Sequence, residues 1–246
     1  MSSSFTQILN VTRSGMLSRL LNLDLVSHNL SNVNTTGFKR GRANFQELLE
    51  ANQLNGTQIR ATQYMMGQGK LRETSNPLDV AINGEGFFTV TLPDGRTAFT
   101  RDGQFYQDAD RRIVTASGFP LDWEGEIPEG AENVHINPDG SVMVLKERAW
   151  TQAGTIQLSR FPNPSGLLGY GQNLWLETEA SGTALAGTPG ADNYGVTLGE
   201  AIEQSNVNMA EEMVQMVSLQ RSFEMSLRTF QQTDQMLSQA VHLRRG

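Results

Sequence analysis

The sequence contains no cysteine, which excludes disulfide bonds, thiolate nucleophiles and cysteine-ligated metal sites. No stretch approaches eighteen consecutive apolar residues, so we expect no membrane-spanning helix. The first thirty residues lack a basic start followed by an unbroken apolar run, and we therefore expect no cleavable signal peptide. The formal charge of −7 argues against a nucleic-acid-binding protein, because such proteins are usually basic.

Proline and glycine are nearly missing from the two ends of the chain. All eight prolines lie between Pro77 and Pro189, and 20 of the 24 glycines lie within residues 51–204. Helix interiors disfavour both residue types, so the ends can form long helices and the middle cannot. Charge follows the same division: residues 1–50 carry +2, residues 205–246 are neutral, and residues 51–204 carry −9. Near-neutral ends are expected if they pack against copies of themselves.

Apolar residues recur at helical spacing in both end segments. They lie seven apart in the N-terminal segment and alternately four and three apart in the C-terminal segment, where only Gln220 and Asp234 interrupt the series. This spacing keeps one apolar stripe facing a partner helix. One N-terminal helix could cover only half of so long a stripe, so we expect contacts with other subunits. The predicted assembly interface comprises Leu9, Met16, Leu23, Leu30, Met209, Met213, Met216, Phe223, Leu227, Phe230 and Leu237.

These patterns predict an α+β fold in which paired, coiled-coil-like terminal helices flank a central all-β domain. The first helix is expected to run from about residue 4 to residue 33 and to end before Gly37, which can adopt a left-handed conformation. The second is expected to begin near Ser205 and Asn206. The predicted parts are an N-terminal helix segment (1–37), a connecting arm (38–76), a central β domain (77–190), a return linker (191–204) and a C-terminal helix segment (205–246).

The middle of the chain carries the signals of short strands. Phe88, Val90 and Leu92 alternate with polar residues, and Asp94-Gly95 and Asp139-Gly140 are typical of hairpin turns. Many short strands separated by turns indicate an all-β module. Within the arm, Phe45, Leu48 and Leu49 suggest a short helix, and residues 180–195, rich in glycine, alanine and threonine, suggest an exposed loop.

Residues for catalysis or metal binding do not form a recognisable pattern. His28, His135 and His242 lie on different predicted elements, whereas a zinc site needs several ligands at one point. The Gly84-Glu85-Gly86 segment lacks the third glycine and the lysine of a phosphate loop, so we interpret it as a turn. A Ser-His-Asp triad needs no adjacent residues, and the sequence alone leaves that arrangement open. We predict a protein that is not an enzyme, with no catalytic residue, cofactor or metal.

Three segments resemble signature motifs of the bacterial flagellar rod and hook proteins. The N-terminal motif is NLSNVNTTGFKR at residues 29–40, the central motif is NPLDVAINGEGFF at 76–88, and the C-terminal motif is SNVNMAEEMV at 205–214. The match spans nearly the whole chain in order. The motif positions are Asn29, Leu30, Asn32, Gly37, Phe38, Asn76, Asp79, Val80, Gly84, Gly86, Phe87, Asn206, Val207, Glu211 and Glu212.

The resemblance implies a structural subunit of the basal-body rod that polymerises into a helical drive shaft and transmits torque from the motor to the hook and filament. It implies an inner coiled-coil layer of terminal helices, an outer β layer and a position in the periplasm. It also implies export in an unfolded state by the flagellar type III apparatus. The implied partners are further copies of the chain, other rod proteins, the hook protein, and the peptidoglycan and outer-membrane ring proteins.

Within this family the sequence is most similar to the distal rod protein. The segment 55–69 is shorter than the corresponding distal-rod arm and lacks its Gly-Thr-Gly run, which leaves the proximal rod protein as an alternative. Two other classes stay open. A peptidoglycan-active enzyme would need a cleft built on carboxylates or histidine, and a non-flagellar binding module would use its helices to form a closed dimer.

Overall fold

The chain folds as an α+β protein with one helix near each end and a mostly β middle. The computed structural model describes the backbone of residues 2–50 and 53–243, and the side chains of residues 11–44, 62–236 and 239. The helices are α1 (Ser2–Ser31) and α2 (Met209–Leu243). Neither of these described helices combines the length and hydropathy needed to cross a membrane.

The strands between the helices are mostly short. In chain order they are β1 (Gly41–Glu50), β2 (Gln53–Tyr64), β3 (Leu71–Glu73), β4 (Val80–Asn83), β5 (Phe88–Thr91), β6 (Thr97–Thr100), β7 (Phe105–Gln107), β8 (Ile113–Thr115), β9 (Glu124–Gly125), β10 (Asn133–Ile136), β11 (Ser141–Lys146), β12 (Ala149–Thr155), β13 (Leu158–Arg160), β14 (Leu168–Gly171), β15 (Leu174–Leu176), β16 (Leu185–Gly187), β17 (Val196–Gly199) and β18 (Ala201–Glu203).

The chain divides into two compact units. The helical unit contains α1, β1, β2 and α2, and the β unit contains residues 32–40 and 65–207. The chain therefore passes from one unit to the other four times, after residues 31, 40, 64 and 207.

In the helical unit, α1 contacts α2 and both strands of an antiparallel hairpin. The hairpin pairs β1 with β2 from Gly41 opposite Tyr64 to Glu50 opposite Gln53. The predicted short helix around Phe45, Leu48 and Leu49 is therefore wrong, because this segment is β1. Short apolar runs fit either structure, and pairing with a second strand decides between them. The side chains of those three residues lie outside the described residues.

The last residue of α1 and the first residue of α2 each differ by a few positions from the prediction. Helix α1 ends at Ser31, and Gly37 has the predicted left-handed conformation (φ +67°) but lies six residues beyond the helix, so it does not cap it. Helix α2 begins at Met209 rather than near Ser205. Asn208 caps it, because its Oδ1 accepts a hydrogen bond from the N–H of Ala210 at 3.1 Å.

Six small antiparallel sheets enclose the core of the β unit. Two have four strands, in the orders β10-β11-β12-β9 and β14-β15-β6-β5, and the other four are the pairs β13-β16, β17-β4, β18-β3 and β7-β8. The alternation at Phe88 and Val90 is confirmed, since both are fully buried in β5. The ring of Phe88 packs edge-on against that of Phe105, with centroids 5.2 Å apart.

The hairpin turns predicted in the middle of the chain are confirmed. Gly95 lies between β5 and β6, Gly140 lies between β10 and β11, and both have positive φ values, of +80° and +82°. The segment expected to be a return linker, 191–204, instead contains β17 and β18, which pair with β4 and β3. β16, which pairs with β13, likewise occupies part of the expected loop at 180–195. Their pairing partners lie 25 or more residues earlier in the chain, which local composition does not reveal.

Candidate assembly surface

One face of α2 packs against α1 within the helical unit. The Nη1 of Arg19 donates a hydrogen bond to the Oγ of Ser226 at 2.9 Å. Next to this bond, side chains of both helices line an open groove of about 390 Å³. The groove is lined by Arg13, Met16, Leu17, Leu20, Phe223, Leu227 and Phe230. Four predicted interface residues are therefore brought together here: Met16, Phe223, Leu227 and Phe230.

The opposite face of α2 is also apolar. At 100° per residue, Val214, Val217 and Met225 lie about 120° or more around the helix from Phe223 and Phe230, whereas Met213 lies between the two faces. Val214, Met225 and Val217 are 72 %, 63 % and 47 % exposed. With Ser218, Arg221 and Ser222 they line a shallow groove of about 680 Å³. Apolar residues on two opposite faces of a helix are typical of a helix that is buried on both sides.

Exposed apolar side chains are concentrated on the two helices. Eighteen large hydrophobic residues are exposed among the described side chains, and twelve of them lie on α1 or α2. Of the predicted interface, Met209, Met213, Leu227 and Phe230 are exposed, and Met16, Leu23, Leu30, Met216 and Phe223 are partly buried. The side chains of Leu9 and Leu237 lie outside the described residues. The sequence pattern did not single out Val214 and Val217, because it follows one apolar stripe per helix.

The motif residues Asn29 and Glu212 have an internal role in the helical unit. The Asn29 side chain is buried, and it both donates to the carbonyl of Gly41 and accepts from its N–H, each at 2.9 Å. Its Nδ2 also lies 3.3 Å from Oε2 of Glu212, whose side chain is fully buried. One amide thus joins the end of α1, the start of β1 and the first turn of α2. Glu211, by contrast, is exposed and accepts a hydrogen bond from Nδ2 of Asn208 at 3.1 Å.

The central motif shapes the start of the β unit's core. Asn76 donates from Nδ2 to Oδ1 of the buried Asp79 at 2.8 Å, which closes the turn before β4. Gly84 and Gly86 have positive φ values, of +117° and +139°, which supports the interpretation of this segment as a turn. Phe87 is buried and packs edge-on against Phe161 at 5.8 Å.

Lys39, Arg101 and Glu203 form a buried ionic cluster in the β unit. The carboxylate of Glu203, fully buried, accepts hydrogen bonds from Nζ of Lys39 at 2.5 Å, from Nη1 of Arg101 at 3.2 Å and from the N–H of Gly69 at 2.8 Å. Arg101 also donates from Nη2 to the carbonyl of Gly84 at 2.7 Å. Burial lowers the pKa of Lys39 against the raising effect of the Glu203 charge, and burial likewise lowers the pKa of Arg101.

Sequence reasoning missed this cluster as a site. Lys39 lies at the end of the N-terminal motif, Arg101 lies outside the three motifs, and Glu203 lies in the expected return linker (191–204). Their one available signal was position: Lys39 follows the buried Phe38, Glu203 follows the buried Ile202, and Arg101 lies two residues after the buried Phe99. Such a cluster joins segments that are 62 or more residues apart, so it has a structural role rather than a chemical one.

Gly37 and Phe38 hold the segment after α1 onto the β unit. Gly37 donates its N–H to the carbonyl of Glu203 at 2.8 Å. A Cβ at Gly37 would lie 2.5 Å from the backbone nitrogen of Asp102, so the close approach excludes other side chains. Phe38 is 7 % exposed, and Val207, the last residue of the β unit before α2, is 8 % exposed.

Asp102 carries the most clearly perturbed carboxyl group of the β unit. Its pKa is raised to about 6, mainly by burial; the N–H of Gln104 opposes the rise by donating to its Oδ1 at 3.1 Å, and the nearby Asp79 charge adds a smaller raising effect. Among the described residues there is no group of three His, Asp or Glu side chains that could hold a metal ion.

Three family descriptions match the chain in sequence order. They are "Flagella basal body rod protein" at residues 9–39, "Flagellar hook protein FlgE/F/G D1 domain" at residues 81–144, and "Flagellar basal body rod FlgEFG protein C-terminal" at residues 199–243. These matches include most of the motif positions identified from the sequence.

Similar proteins from several bacteria align along nearly their whole length. The flagellar basal-body rod protein FlgG of Borreliella burgdorferi is 40% identical over 255 residues, covering 94% of this chain and 96% of the relative. FlgG of Buchnera aphidicola from Acyrthosiphon pisum is 39% identical over 254 residues, covering 95% and 98%. FlgG of Caulobacter vibrioides is 37% identical over 260 residues, covering 97% and 99%. The chain therefore belongs to the bacterial flagellar basal-body rod and hook protein family, whose members are structural proteins rather than enzymes.

Proposed function

We propose that the chain is a structural subunit of the distal flagellar rod, which polymerises through α1 and α2 into a helical tube and transmits torque to the hook and filament. The observation that carries this proposal is the two-sided apolar surface of α2. One face packs on α1 and the opposite face, with Val214, Val217 and Met225, is exposed. Apolar surface of this kind marks an interaction site, because exposure to water is unfavourable.

A helical lattice explains why the two faces differ. When a surface on one subunit contacts a different surface on the next, the contact repeats without closing and produces a filament. We infer that α1 and α2 pair as a coiled coil and that the free face of α2 packs against helices of neighbouring subunits. The terminal helices then form an inner layer and the β unit an outer layer. Many parallel helices, each with a buried apolar stripe, make a shaft that resists bending.

The distal position is supported by the relatives, which are named FlgG in several bacteria. The proximal rod is the alternative, since the segment 55–69 is shorter than the distal-rod arm. For a rod subunit we also propose a periplasmic location and export through the flagellar type III apparatus without a cleavable signal. We further propose contacts with other rod proteins, with the hook protein, and with the peptidoglycan and outer-membrane rings.

Replacing Leu227 with aspartate tests the helix interface. A carboxylate in a buried apolar contact costs several kcal/mol per contact, so we expect rods to be absent and motility to be lost. Leu168→Asp is the matched control, because Leu168 is an exposed leucine of the β unit. The purified Leu227→Asp chain should retain the tryptophan fluorescence of the folded β unit. Normal motility with Leu227→Asp would contradict the proposed interface.

Antibody labelling of purified hook–basal bodies tests the position of the subunit. With antibody raised against the β unit, label near the outer rings supports the distal rod, and label near the inner-membrane ring supports the proximal rod. Sedimentation of the purified chain separates the remaining alternative. A single compact dimer with protected helices, together with unlabelled basal bodies, would favour a closed binding module over a rod subunit.

A further inference from the structure

Three of the four chain crossings between the units are tied together within the β unit by one side chain, that of Asn206. Its Oδ1 accepts a hydrogen bond from the N–H of Arg40 at 2.7 Å. Its Nδ2 donates to the carbonyls of Met65 at 2.7 Å and Gly67 at 2.9 Å. Arg40, Met65 and Val207 are the β unit's terminal residues at these crossings. The amide thus uses both donor hydrogens and its acceptor to join segments far apart in sequence.

Backbone hydrogen bonds join the same segments. The N–H of Met65 donates to the carbonyl of Arg40 at 2.8 Å, and the N–H of Asn206 donates to the carbonyl of Phe38 at 3.3 Å. We call residues 38–40, 65–67 and 206–207 the crossing junction. Each of its three segments is bonded to another by backbone groups, and Asn206 bridges all three.

The buried ionic cluster anchors the crossing junction in the interior. Nζ of Lys39 donates to the carbonyl of Gly67 at 3.0 Å, so Gly67 accepts from both Lys39 and Asn206. The same ammonium group pairs with Glu203, and neither side chain is exposed. Hydrogen bonds to charged groups in a buried site are stronger than neutral ones in water, which resists sliding of the segments past one another.

We propose that the crossing junction is a mechanical clamp that carries load between the two units, with Asn206 as its positioning residue. This inference rests on the torque-transmitting role proposed above. Force carried along the chain enters the β unit at the crossings. A segment held alone can be peeled away one hydrogen bond at a time, whereas segments bonded to one another share the force. Asn206 lies on neither α1 nor α2, so its replacement leaves the apolar faces of the helices unchanged.

Hydrogen exchange on the purified full-length chain tests the clamp directly. In Asn206→Ala, we expect the amides of Arg40 and Met65 to exchange about tenfold faster or more, because a local network of several hydrogen bonds is lost. Amides of the β5 strand should be unaffected. Gln204→Ala is the matched control, since Gln204 is an exposed amide two residues earlier. Unchanged exchange at Arg40 and Met65 would overturn the proposal.

Rotation under load tests the mechanical role in cells whose only copy of the chain carries Asn206→Ala. We expect rods in normal number by electron microscopy, and rotation that fails, or shafts that break, at lower medium viscosity than in cells with the parent chain or Gln204→Ala. Rotation equal to that of the parent at every viscosity would overturn the clamp. Failure to assemble rods would also overturn it, because Asn206 would then act in assembly. Absence of the parent chain from rods would instead contradict the rod function itself.

Discussion

Removing the charge of Glu203 should destabilise the β unit more than any change to its surface. In Glu203→Gln the shape of the side chain is nearly kept, but Lys39 and Arg101 lose their shared anion. Both are almost fully buried, at 1 % and 5 % exposure. An uncompensated buried charge costs about 3–5 kcal/mol. Typical domains are stable by about 5–15 kcal/mol, so about a fifth or more of the total would be lost.

Urea unfolding followed by tryptophan fluorescence measures this loss. All three tryptophans, Trp123, Trp150 and Trp175, lie in the β unit, so the signal reports that unit alone. For a protein of this size, 3–5 kcal/mol corresponds to a fall in Tm of roughly 6–20 °C. A decrease in unfolding free energy below about 1 kcal/mol would refute the reasoning, because it would mean that water or structural relaxation compensates both cations.

The double variant identifies the cause of the destabilisation. Lys39→Met removes a cation whose burial is unfavourable, while Glu203 keeps its bonds to Arg101 and to the N–H of Gly69. We therefore expect Lys39→Met alone to cost about 0–2 kcal/mol. Combined with Glu203→Gln, it should recover at least about 1 kcal/mol, which is a coupling energy typical of residues in contact. Additive losses in the double variant would show that the two side chains do not act as an ion pair.

Two further predictions concern single positions of the β unit. A Cβ at Gly69 would lie 1.9 Å from the carbonyl oxygen of Gln204, so Gly69→Ala should lower the free energy of unfolding in urea by about 2 kcal/mol or more. In the control Gly67→Ala, a Cβ meets no atom within 4 Å, so the free energy of unfolding should change by less than about 1 kcal/mol. Equal effects of the two substitutions would contradict the proposed clash at Gly69. Because the folded pKa of Asp102 is about 6 against 3.8, its contribution to stability is fully present below pH 3.8 and is lost as pH rises through about 6. Asp102→Asn should therefore have a higher free energy of unfolding than the parent at pH 7.5, by about 1–2 kcal/mol after allowance for the partial exposure of Asp102, and by much less at pH 4. The same difference in unfolding free energy at both pH values would contradict the shifted pKa.

The helices and the β middle could be predicted because their signals are local. The seven-residue spacing of Met16, Leu23 and Leu30 and the alternation at Phe88 and Val90 reflect the periods of a helix and a strand. The hairpin turns at Gly95 and Gly140 depend on a positive φ that glycine adopts readily. Local patterns of this kind need no knowledge of the partner segment.

The errors arose where a distant partner decides the local structure. Residues 41–50 form a strand because β2 pairs with them, and β17 and β18 form because β4 and β3 are available. The second apolar face of α2, with Val214 and Val217, was missed because a single-stripe pattern presumes one buried side. The cluster of Lys39, Arg101 and Glu203 was missed because charged residues are expected in water unless paired, and the pairing is not visible in sequence.

The structure separates what the motifs do from what the helix faces do. Asn29, Gly37, Asp79 and Asn206 make internal hydrogen bonds or close backbone contacts within one unit. Such residues fix how the chain folds. In the proposed rod, neighbouring subunits contact exposed residues, and the exposed large apolar side chains among the described residues lie mainly on α1 and α2. We therefore expect the choice of rod segment to be encoded in those exposed faces, where side chains can differ without disturbing the fold.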